Sequence, residues 1–242
     1  MLCRRGPVQT GSSLPAADGG MTVPPGDGST PPPGDSGPQG GALTGRVLVY
    51  EDENFTSAAD FAGTGEVGGE GPNGRVTAAF SDASYRLDAV TLGQAAFIDL
   101  TATETQEDLL FAVELVDASD GSADLHFVRR TVMELIGQNL AVAESLQDGR
   151  GHAILFFRDA NGNGRADIQV DGAGAIVAYD TGSGIFREDF GATSERGTVA
   201  ILNAAAIAFP GSVVSLSYSG ASSGTVDVKL AGNAVTLVTV GP

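Results

Sequence analysis

The sequence predicts a mostly β protein: antiparallel β-sandwich modules with one helix at most, preceded by a disordered tail. Three observations predict it. From Leu43 onward, short apolar runs alternate with polar residues and are punctuated by Gly, Asp and Asn at a spacing of about ten residues. Only one stretch, residues 126–147, carries a helical period. Residues 1–41 hold eight of the eleven prolines and few large apolar side chains. Such a segment buries too little surface to offset its chain entropy.

In chain order, residues 1–41 therefore read as a Pro/Gly-rich spacer. "GRVLVY" opens the folded body, and a Gly-rich stretch at 63–74 follows. "GRVTAAFSD", "SYRLDAVTLG", "AAFIDLTATE" and "DLLFAVELVD" are the next strand candidates. In 126–147, Val128, Val132, Leu135, Ile136, Leu140, Ala143 and Leu146 fall on one helical face. Gly137 within it costs about 1 kcal/mol relative to alanine, and Asp148-Gly149 suits a turn between strands, so helix and strands both stay open. "HAILFFRD", "ADIQV", "AIVAYD", "GIFREDF", "GTVAILNAAAIAF" and "GSVVSLSYSG" return to the β pattern. "TVDVKLAGNAVTLVTV" reads as a closing hairpin turned by Gly232-Asn233. The body divides near residue 120, into 42–120 and 121–242, with one continuous sandwich as the alternative.

Composition narrows the function classes. The chain has 242 residues, a net charge of −17 and a pI near 4.2. A strongly acidic surface repels nucleic acid and anionic membranes and favours divalent cations or simple solvation. No apolar run is long enough for a transmembrane segment. Cys3 is the only cysteine, so no internal disulfide forms; ahead of the spacer it suits a lipid anchor if the true start lies upstream. Chemistry-bearing motifs are scarce. His126 and His152 lie in no catalytic pattern, Ser183 sits in a glycine turn, and one lysine rules out a phosphate-binding P-loop.

"DANGNGRADIQV" is the most informative stretch. Asp159, Asn161 and Asn163 stand at positions 1, 3 and 5 of an EF-hand-type loop, with Gly164 at position 6. Arg165 offers its carbonyl at position 7, and Asp167 stands at position 9. Val170 replaces the bidentate glutamate of position 12, and Asp171 comes one place late, so the expected calcium site is weak. The alternative is a plain turn, since Asn, Asp and Gly turn chains without any ion. "DASDGSAD", Asp117 to Asp124, is a shorter echo and reads as a turn.

Two resemblances follow. "GRVLV" with "SDASYRLDAVTLGQAAFIDLTAT" resembles the transthyretin-like (prealbumin-like) modules of the carboxypeptidase-regulatory type over about 43–103. Some relatives of that kind carry a Lys–Asn isopeptide bond. Here Arg46 occupies the opening strand and Lys229 is the only lysine, so that bond is not implied. The loop with "TGSGIF" resembles FG-GAP, integrin-like and bacterial surface-repeat calcium loops over about 155–186. Together they imply a non-catalytic, secreted or envelope protein with a structural or adhesive role. Its expected partners are calcium and a cell-surface polysaccharide or protein. An accessory polysaccharide- or peptide-binding module of a secreted enzyme is the second reading, and a carboxylate-pair hydrolase the third.

Overall fold

A computed structural model describes residues 40–103, 108–140, 143–172 and 174–242. The spacer expected over 1–41 lies outside them except for Gly40 and Gly41. Those two are not spacer: they begin β1 (Gly40–Tyr50), where Gly40 pairs with Thr91 and Gly41 with Val90.

The first strands roll into a closed ring. β1, β5 (Ser84–Thr91), β4 (Gly74–Ser81), β3 (Thr64–Gly71), β6 (Ala95–Ala102), β7 (Leu109–Asp117) and β8 (Leu125–Arg129) follow one another through backbone ladders, and β8 pairs back onto β1. β2 (Ala58–Asp60) is an edge on β1. Tryptophan being absent, three phenylalanines fill the middle: Phe61, Phe80 and Phe127 stand with ring centroids 5.0 to 6.4 Å apart. Leu43, Val47, Leu87, Ile98 and Leu100 complete that core. The Gly-rich stretch is itself a strand, β3. A Cβ on Gly65 would stand 2.5 Å from the Phe80 ring and one on Gly69 would stand 2.8 Å from Ile98, so bulk moves from β3 to its neighbours.

From β7 the sheet continues outward through β16 (Ala234–Val240), β9 (Gly151–Phe157), β13 (Thr198–Ala204), β11 (Ile176–Asp180) and the short β12 (Phe186–Arg187). β16 runs parallel to both β7 and β9, which makes the sheet mixed. Every residue of β9 is buried because both faces of this part are covered. Helix α1 (Arg130–Gln138) covers one face through Val132, Met133 and Ile136. A three-stranded sheet of β10 (Ile168–Val170), β14 (Ser212–Gly220) and β15 (Gly224–Leu230) covers the other through Val226, Val228 and Leu230. The ladders run without a break across residue 120: β6 pairs with β7, and β7 with β16. The described residues from Gly40 to Pro242 belong to one compact unit.

Two expectations need correction. The closing hairpin does not exist. β15 belongs to the three-stranded sheet and β16 inserts between β7 and β9. β15 alternates exposed and buried residues at its start, whereas Ala234 to Val238 are all buried, which suits the middle of a two-sided sheet. Within 126–147, the helix is shorter than its apolar pattern. Residues 125–128 pair with β1, Leu135 stays exposed, and Ala143 lies beyond the helix. Gly137 has a physical reason: a Cβ there would meet the Glu144 carbonyl at 2.3 Å, because the chain folds back and the Glu144 amide donates to Gly137 O at 3.0 Å.

Candidate functional site

The loop 158–167 leaves β9 at its buried end and feeds β10. Arg158 and Gly164 form an isolated antiparallel bridge at its base. The Asp159 carboxylate gathers the tip: Oδ1 accepts the backbone N–H groups of Asn161 and Asn163, each at 2.8 Å. Its Oδ2 accepts Asn163 Nδ2 at 3.2 Å. These bonds to Asn163, and then to Asn161, hold the exposed Asp159 carboxyl below the usual carboxylate range. The structure thus brings Asp159, Asn161 and Asn163 together.

The Arg165 carbonyl and guanidinium and the Asp167 backbone make bonds outside the loop tip. The Arg165 carbonyl accepts Thr193 Oγ1 at 2.7 Å, and its guanidinium reaches Gly241 O and Ser222. Asp167 adopts φ +59°, donates its N–H to Thr193 O and accepts Ala221 N–H at its carbonyl, both at 2.9 Å. Asp171 donates its N–H to Ser217 O at 2.9 Å, continuing the β10–β14 pairing. No cluster of three His, Cys, Asp or Glu side chains able to hold a metal occurs among the described residues. The shorter echo at 117–124 is a turn: Asp117 Oδ1 accepts Ser119 N–H at 2.9 Å, and Gly121 takes φ +68°.

Two buried carboxylates, Asp180 and Asp99, also carry charge inside the protein, and pattern reading misses both. Asp180, only 1% exposed, ends β11. Its Oδ1 accepts Gly182 N–H and Gly184 N–H at 2.8 and 2.9 Å, and Oδ2 meets Arg196 Nε at 2.9 Å. Arg196 then donates to Asn54 Oδ1 and Asn54 O, on the segment between β1 and β2. Asp99 on β6 is held by both terminal nitrogens of Arg75, one at 2.6 Å.

The histidines occupy different surroundings. His152 is buried, and its Nδ1 accepts Asn203 N–H at 3.3 Å. Burial, then the Arg130 charge, pushes its pKa down to about 4. His126 is half-buried, stacked on Tyr50 at 4.5 Å, and its Nδ1 lies 3.2 Å from Glu114 Oε2. Burial, then Glu114, raises the Tyr50 hydroxyl to about 12. Tyr50, Glu114, Arg158 and Thr239 line a small polar hollow of about 210 Å³.

No protein-family model matches the chain, and no curated protein matches it. Among solved structures it is similar to the TIE protein of Bacillus anthracis, with 11% identity and a TM-score of 0.25 over 84% of this chain and 34% of that one. The chain thus spans about a third of that protein. A point mutant of the shaft pilin SpaA from Lactobacillus rhamnosus GG matches with 10% identity and a TM-score of 0.24, over 84% of this chain and 98% of the pilin. A streptococcal ancillary pilin matches with 10% identity and a TM-score of 0.24, over 83% of this chain and 68% of that one. Among the described residues no helix is long and apolar enough to cross a membrane.

Proposed function

We propose that the chain is a non-catalytic structural or adhesive β module of a secreted or envelope protein, stiffened by a weak calcium site in the loop 159–167. The observation that carries the reading is the use made of buried charge. Asp180 joins two glycines of the β11–β12 turn to Arg196 and, through it, to Asn54; Asp99 joins two strands of the ring. Carboxylates with both oxygens spent on backbone amides and guanidinium groups are ties between elements. They are poor proton shuttles.

Calcium is supported by the Asp159 geometry. Calcium takes six to eight oxygens at 2.3–2.6 Å, which sets neighbouring ligand oxygens roughly 3 Å apart. Asn163 Nδ2 stands 3.2 Å from Asp159 Oδ2, so rotating that amide end for end would present an oxygen at ligand spacing. The Arg165 carbonyl keeps a second lone pair beside its bond from Thr193. Asp167 would be the second carboxylate. The transthyretin-like reading of 43–103 belongs to the same proposal, its Gly45–Val47 opening lying on β1 and Tyr85 on the paired β5. Lipid anchoring at Cys3 and a surface polysaccharide or protein partner remain part of it. Calorimetric titration with calcium tests the ion directly. A Kd of about 10⁻⁴ to 10⁻³ M is expected for wild type, with the heat lost in Asp159→Ala. Absence of a saturable heat removes calcium from the proposal.

A further inference from the structure

A second pocket, of about 410 Å³, opens where the ring meets the three-stranded sheet. Ala95, Ala96 and Phe97 at the start of β6 form one wall, and Pro210, Gly211 and Val213 leading into β14 form the other. Glu70, Thr91 and Gln94 add polar groups, and Lys229 of β15 belongs to the lining. Its size and its apolar lining with few polar groups are those of a small-molecule site, and such sites favour junctions between substructures.

Lys229 gives the pocket its chemistry. It is the only lysine of the chain, and its side chain is 10% exposed. A buried ammonium carries a desolvation cost that a full set of hydrogen bonds would offset. Asp99 does not supply that set. Both its oxygens are bonded to Arg75, and Oδ2 stands 3.9 Å from Lys229 Nζ, beyond hydrogen-bond range. Arg75, 32% exposed at its side chain, and the buried Lys229 thus share one buried carboxylate, leaving an ammonium with donors to spare next to an apolar hollow.

We propose that this pocket binds a small amphipathic monocarboxylate, with its tail between Phe97, Pro210 and Val213 and its carboxylate on Lys229. One ammonium matches one carboxylate. A second anionic group on the ligand would face Glu70 and the net charge of −17, so dianions are disfavoured. The site goes beyond the structural role proposed above and does not depend on the calcium loop.

Octanoate and octanol, which share a tail and differ in charge, are the probes, titrated calorimetrically into the full chain. Wild type should bind octanoate at one site, at least about tenfold more tightly than octanol. Lys229→Met keeps the stem and the Arg75–Asp99 pair; it should weaken octanoate by about tenfold or more and leave octanol unchanged. Ala95→Phe, at an exposed position on the pocket wall, should block both ligands and leave the melting temperature unchanged. Absence of saturable octanoate binding to wild type overturns the proposal. So does an octanol affinity equal to that for octanoate, or a Lys229→Met affinity within about threefold of wild type. If Lys229→Met does not fold, Ala95→Phe decides: unchanged octanoate affinity there overturns it.

Discussion

Removing the Asp180 carboxylate should be among the most damaging single changes in the protein. In Asp180→Ala, Gly182 N–H and Gly184 N–H lose their acceptor and Arg196, 28% exposed at its side chain, loses its ion pair. Breaking a buried pair from one side costs about 3–5 kcal/mol, because the surviving charge stays desolvated. For a body of about two hundred residues each kcal/mol moves Tm by roughly 2–4 °C, so a fall of about 10 °C is expected. Asp180→Asn separates the two contributions. Its amide oxygen can still accept the glycine N–H groups, and only the charge facing Arg196 disappears, so the expected loss is about 1.5–3 kcal/mol. Urea unfolding of wild type and both variants reads the effect as a change in midpoint at constant slope. An Asp180→Ala unfolding free energy within about 0.5 kcal/mol of wild type would refute the claim that buried charge ties these elements together.

Acid should act through His152. Its folded-state pKa, pushed down to about 4, lies below its ordinary 6.5, so the unfolded chain binds this proton more readily. The stability that this difference confers is complete above pH 6.5 and drains away by about 3 kcal/mol as pH falls to 4. In His152→Gln that share of the acid dependence should vanish, and an unchanged slope between pH 6.5 and 4 contradicts the assignment. Gly137→Ala should destabilise by about 1–3 kcal/mol despite alanine's better helix propensity, because its Cβ would meet the Glu144 carbonyl. A chemical-denaturation midpoint higher than wild type would show that the returning chain moves aside freely.

Local chemistry was legible in the sequence and long-range pairing was not. The β class, the turn at 117–124 and the gathering of Asn161 and Asn163 around Asp159 follow from residues within a few positions of one another. The exchange of β16 into a parallel position between β7 and β9 depends on partners about eighty residues or more away, which no turn motif encodes. Its signal was present in the unbroken apolar run Ala234–Val238, which suits a strand buried on both faces. Gly137 shows the same limit. Within its helix it looks like a defect, and only the return of Glu144 explains it. The ties of Asp180 to Arg196 and of Asp99 to Arg75 were invisible for another reason: neither pair has a spacing that distinguishes it among thirty acidic residues.

Thermal unfolding with saturating calcium and with chelator, in wild type and Asp159→Ala, bears most directly on the claim of an ion-stiffened structural module. Binding to the folded state alone adds RT ln(1 + [L]/Kd), about 1.4 kcal/mol at ten times Kd, or a few degrees in a body of this size. Wild type should gain that increment, Asp159→Ala should lose it, and magnesium should replace calcium poorly because it demands a smaller octahedral shell. Identical wild-type melting temperatures with calcium and with chelator would make residues 159–167 a turn and remove the ion from the account.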